Sequence, residues 1–246
     1  MELAQIIYFI LVVLSAPLLF FIAYLLYKRY KKNNRNNSLY LSRAFFIFGI
    51  GDVLLILEQS ILSSVYGTQP IIKGEFYEQL ARYIVCLAIF MVAFGLWYLN
   101  AFSLDFLPEK YHNWIWIIGP LGFIHAILYY IFPYNWYLQS AIYEFAHDVE
   151  PWQSPVLIFF YLTPVWLSPL ILLFATYRIR NEPRFVKVKS LTISLGLIVG
   201  AAGYSIQVVA PSILSGLGFF LFPIIAYMGL VMPIWYRELW NINQKA

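Results

Sequence analysis

The sequence predicts an all-α membrane protein, a bundle of seven transmembrane helices with its N-terminus outside and its C-terminus in the cytoplasm. Three observations predict it. Of 246 residues, 62% are hydrophobic and only 11% charged, whereas soluble domains sit near half apolar and a quarter charged. Seven apolar stretches approach the roughly 20 residues that a helix needs to cross a bilayer core. Basic residues also gather on alternate connections between those stretches.

The stretches cover residues 5–27, 41–65, 76–103, 114–132, 155–177, 188–209 and 213–236, and the whole chain, 1–246, reads as a single domain. The first resembles a secretory leader in position only. Glu2 precedes it in place of a basic cluster and the positive charge follows it, so it reads as a span. The second is the most polar, with Arg43, Asp52 and Glu58. In the sixth, Gly196, Gly200 and Gly203 recur on nearly one face and invite close approach of a neighbouring backbone. Pro17, Pro120, Pro164, Pro169, Pro223 and Pro233 lie in or at the ends of stretches and predict kinks.

Orientation follows from charge. Of sixteen Lys and Arg, all but Lys73 and Arg82 fall on the first, third and fifth connections, at the helix ends beside them, or in the C-terminal tail. By the positive-inside rule that side is cytoplasmic. The net charge of +4 is thereby a topology signal, and no nucleic-acid partner is expected. The first connection, from Lys28 to Ser38, is polar enough to be mobile. Residues 133–154 form the longest external connection, with Tyr143 to His147 as a short interfacial helix or lid. Cys86 stands alone and forms no intrachain disulfide.

Ionisable groups at bilayer depth cost at least ~2.5–3.5 kcal/mol each on insertion scales. Counting ~1.5 Å per residue puts Glu58, Arg82 and His125 at similar depth in the outer third, on the second, third and fourth stretches. Tyr161 and Thr163 on the fifth, with Tyr204 and Gln207 on the sixth, fall near the same layer. The simplest arrangement is a Glu58–Arg82 ion pair with His125 beside it. Such a cluster serves either as a structural clasp between helices or as an outward-facing pocket for a small ligand. Asp52 lies near the midplane, and Gln59, seven residues on, shares its face.

Several chemistries are excluded. A covalent retinal needs a lysine inside the bundle, and every lysine lies in a loop, a tail or a helix end. Zinc and bis-histidine haem sites need several His, and His125 is the one within a stretch. Glu144, His147 and Asp148 have ligand-like i, i+3, i+4 spacing, which on an exposed helix more commonly faces water. No metal and no cofactor is expected. Gly49-Ile50-Gly51-Asp52 resembles the GxGD motif of intramembrane aspartyl proteases. That chemistry needs two adjacent carboxylates, yet the nearest other Asp is Asp105, at the end of the third stretch. An enzyme is therefore not expected.

Seven helices, short basic cytoplasmic loops and the texture of Phe46-Ile47-Phe48-Gly49-Ile50-Gly51-Asp52 resemble the seven-helix N-terminal sensor domains of histidine kinases and their stand-alone archaeal relatives. The resemblance is one of topology and carries over no functional residue. It implies a membrane receptor or sensor module of the cell membrane, embedded in the lipid bilayer, binding a small molecule and signalling through a protein partner. The alternatives are a small secondary transporter using Asp52 and the Glu58/Arg82 pair, and a structural subunit of a membrane complex.

Overall fold

The computed structural model describes residues 3–66, 75–131, 153–209 and 212–240. Among these the protein is all-helical, without a strand. The elements are α1 (Leu3–Asn33), α2 (Asn36–Tyr66), α3 (Phe76–Leu104), a 3₁₀ turn (Glu109–Trp114), α4 (Ile115–Ile131), α5 (Gln153–Arg178), α6 (Arg184–Val209), α7 (Ile213–Val231) and α8 (Ile234–Leu239). Each apolar stretch of the sequence has most of its residues on one of the seven long helices.

Five helical segments are long and apolar enough to cross a bilayer: Ile6–Asn33, Asn36–Tyr66, Phe76–Leu104, Arg184–Ile206 and Ile213–Val231. The described part of α4 has 17 residues, and much of the first half of α5 has side chains outside the described ones. Neither is among the five. Large apolar side chains such as Ile10, Leu14, Phe21, Phe46, Leu87 and Phe94 are exposed around the bundle. An apolar surface of that extent suits lipid and not water.

Sequence neighbours pack together from α1 through α7, and α1 packs on α7 to close the ring, with α3 also touching α5. At the centre, Phe45 of α2 meets Phe222 of α7 edge-on at 5.2 Å. Phe48 sits between Phe222 and Tyr204 of α6. The three glycines of α6 do admit close approach. A Cβ on Gly196 would stand 2.7 Å from the Ala226 nitrogen, and one on Gly203 would stand 2.9 Å from the Gly218 Cα. Helices α1, α4, α5 and α7 carry internal prolines, whereas α2, α3 and α6 carry none.

Two boundaries differ from expectation. The first connection is not a mobile loop: α1 runs to Asn33 and α2 begins at Asn36. Lys and Arg are good helix formers and favour a helix C-terminus. The break is made by Asn34, at φ 48°, a left-handed position that Asn tolerates. Its N–H closes the helix on the Tyr30 carbonyl at 2.7 Å. The seventh stretch ends early, at Val231, because Pro233 has no N–H to continue the ladder. Met232 there adopts φ 49° and donates to the Met228 carbonyl at 2.8 Å, and α8 starts anew. At its other end α7 opens with a capping box, Ser212 and Ser215 each accepting from the other's backbone N–H.

The proposed lid (Tyr143 to His147) and the spaced Glu144, His147 and Asp148 lie outside the described residues.

Candidate functional site

Antiparallel packing of α2 on α3 sets the relative depth of every polar group between them. Gly51 rests against Ala88, Met91 and Val92, and Gly95 rests against the Phe48 ring. Continued outward, that register brings Glu58 level with residues about 84–85, within one helical turn of Arg82. Glu58 is 1% exposed and Arg82 28%. The two groups are neighbours in depth, as expected.

They do not pair. Arg82 Nη2 donates instead to Glu78 Oε1 at 2.6 Å. Glu78 lies four residues N-terminal on the same helix, the favoured orientation for a helical ion pair, and needs no interhelical alignment. Glu58 Oε2 accepts from Gln59 Nε2 at 2.9 Å. Two buried atoms are left without a partner, Glu58 Oε1 and Arg82 Nε. Farther out, Tyr66 Oη donates to Glu75 Oε2 at 2.9 Å, joining the ends of α2 and α3.

Of the other members of the expected layer, the backbone of His125 and the side chain of Tyr204 lie away from Glu58 and Arg82. Gly119 packs on Trp97 and Gly122 on Ala93, so the backbone of His125 falls level with residue 90 of α3. That is eight residues, about 12 Å, from Arg82. Tyr204 stacks edge-on with Phe219 at 4.6 Å and lies 6.4 Å from Phe48. Phe48 is ten residues, about 15 Å, from Glu58 along α2. Thr163 Oγ1 donates to its own helix, at the Phe159 carbonyl. The side chains of His125, Tyr161 and Gln207 are outside the described ones.

Asp52 forms a second polar site, deeper in the bundle. It is 5% exposed, and the Ser15 hydroxyl of α1 donates to its Oδ2 while also lying 2.9 Å from the Val12 carbonyl. The hydroxyl has a single proton to divide between them. Gln59 does not share this site, since its amide serves Glu58. Asp105 caps the far end of α3, about 22 Å along that helix from the level of Asp52. Asp52 and Asp105 therefore do not form a GxGD-type pair.

Sequence reasoning missed the neutral contacts. Asn100 Nδ2 of α3 donates to the carbonyls of Leu96 and Pro164 at 2.9 and 3.1 Å, and its Oδ1 accepts from Ser168 of α5 at 2.9 Å. Trp166 Nε1 donates to Ser205 Oγ at 2.9 Å. Thr176 meets Ser190, and Thr192 meets Tyr236 of α8. Asn100 was detectable in principle, as an amide within an apolar stretch, but an uncharged group attracts less notice than Glu58 or Arg82.

Comparison of the chain with protein-family models, with curated proteins and with solved structures finds no match.

Proposed function

We propose that the chain is a multi-pass protein of the cell membrane that works as a receptor- or sensor-like module. In this reading all seven long helices cross, the basic end faces the cytoplasm, and a small polar ligand reaches the α2–α3 site from outside. The observation that carries it is the pair of orphaned buried atoms, Glu58 Oε1 and Arg82 Nε. A buried polar atom left unpaired costs about 1–3 kcal/mol, more when charged. A ligand bearing both a donor for Glu58 and an acceptor for Arg82, such as a small zwitterion, would remove both costs. Binding there would favour one arrangement of α2 against α3 and pass it to a protein partner at the basic end.

The test is thermal unfolding of purified protein with a panel of amino acids and small zwitterions. At least one compound should raise the wild-type midpoint by several degrees and leave Glu58→Gln and Arg82→Met unmoved. If none is selective and Glu58→Leu is simply more stable, the cluster is a structural clasp and the receptor reading fails.

Asp52 and Ser15, buried together at depth on two helices, favour secondary transport as the second reading, with Asp52 as the coupling group. Substrate-dependent proton flux in liposomes, abolished in Asp52→Asn, would support it.

A further inference from the structure

The ends of α1, α2, α5, α6, α7 and α8 meet on one side, joined by Ser42 on the Ala23 carbonyl, Thr176 on Ser190 and Thr192 on Tyr236. Cations dominate this end, and several lie over aromatic rings: Lys31 over Tyr27, Arg43 over Tyr98, Arg178 over Phe174 and Arg180 over Tyr177. Rings and cations at one level, beside exposed Ile234, Trp235 and Leu239, are the pattern of a membrane interface.

Within that rim one group of charges is uncompensated. Arg29 is held in place, its Nη1 donating to the Leu230 carbonyl in the last turn of α7 at 2.5 Å. Arg35 follows directly on the left-handed Asn34 that turns α1 into α2. Lys189, one turn into α6, is partly buried; its neighbour Val188 packs on Met232, and Gly229 packs on Thr192 and Ile193, which brings this turn of α6 beside the Leu230 carbonyl that holds Arg29. Among the described residues no carboxylate forms an ion pair with any of the three. At the same end Arg237 of α8 keeps its Nε buried without a partner. Three like charges, on α1, on the turn into α2 and on α6, one of them anchored and one partly desolvated, repel unless an anion sits among them. Arginine forks suit phosphate oxygens, and lysine adds a point charge.

We infer that Arg29, Arg35 and Lys189 form a site for the phosphate headgroup of an anionic phospholipid, clasped between the ends of α1, α2 and α6. The inference needs only that the helices are membrane-embedded and is independent of the receptor reading. A basic residue near an anionic leaflet is worth about 1 kcal/mol, so losing one from the site lowers apparent lipid affinity roughly fivefold.

The experiment follows unfolding of the full chain in detergent, titrated with phosphatidylglycerol, phosphatidylcholine or inorganic phosphate. Phosphatidylglycerol should raise the wild-type midpoint well above the effect of phosphatidylcholine. Arg35→Gln and Lys189→Met should each shift that titration about fivefold, and Lys110→Gln, at a separate position on the same end, should not. Without lipid, Lys189→Met should be at least as stable as wild type, because a repelling charge has gone; this separates a lost site from a lost fold. Equal responses to the two lipids, or full retention of the response in both variants, overturns the inference. So does inorganic phosphate matching phosphatidylglycerol, which would make the ligand a free anion.

Discussion

Gly218→Ala tests whether α6 and α7 are held at backbone contact. The added Cβ would stand 2.6 Å from the Gly203 Cα, 3.1 Å from the Gly203 nitrogen and 3.1 Å from the Val199 carbonyl oxygen. Carbon atoms rest at ~3.5–4.0 Å, so the two backbones must part by roughly 1 Å. Overpacking of this kind costs ~1–3 kcal/mol, at the upper end here because backbone cannot rotate aside. Better helix propensity returns up to ~1 kcal/mol, leaving a net loss of about 1–2 kcal/mol. Gly51→Ala is the matched control. Its Cβ would meet Val92 Cγ2 at 3.5 Å, the Ala88 carbonyl oxygen at 3.7 Å and Met91 Cβ at 3.9 Å, all ordinary contacts, so that variant should equal or exceed wild type. Unfolding midpoints in one detergent, followed by tryptophan fluorescence, compare the three proteins. Equal midpoints for Gly218→Ala and Gly51→Ala would refute the close approach.

Asn100→Leu should cost about 1–2 kcal/mol, given two interhelical bonds at the ~0.6 kcal/mol typical of such contacts in membranes and one to its own helix, and Ser168→Ala should cost about half as much in the same unfolding assay. Met232→Gly sets relief of a left-handed backbone, ~1–2 kcal/mol, against loss of a buried side chain worth ~1.5–3 kcal/mol; a net loss of about 1 kcal/mol is expected, and a gain would show that backbone strain dominates. Asn34→Gly, exposed and also left-handed, should gain up to a few tenths of a kcal/mol. Asp52→Asn keeps an acceptor for Ser15 and should fold normally, while a double-mutant cycle of Asp52→Leu with Ser15→Ala should give a coupling of roughly 0.5–1.7 kcal/mol; no coupling would mean that the Ser15 proton stays with Val12.

The helices were legible because every long stretch carries an apolar compositional mark, and Gly196, Gly200 and Gly203 announced their own close contact. Pro233 predicts only a kink within a stretch running to residue 236, whereas the chain breaks there into α7 and α8. Depth was harder. Counting from an assumed outer surface placed Arg82, His125 and Tyr204 together, but relative height is set by interlocking side chains. Phe48 filling the space at Gly95 and Trp97 lying over Gly119 fix it, and neither contact has a signature in periodicity. The choice of Glu78 over Glu58 as the partner of Arg82 turned on a local i, i+4 pair prevailing over one that needed two helices aligned.

Helix α2 has no proline along its 31 residues, while α1 and α7, which it touches at Ala23 and Phe222, each carry one. From Glu58 to Asn36 the chain advances about 33 Å with no proline to break it. A tilt imposed at one end of such a rod arrives at the other undamped, at the two-residue turn where Arg35 sits. In the receptor reading proposed above, α2 would serve as the push-rod between the Glu58 level and the basic end.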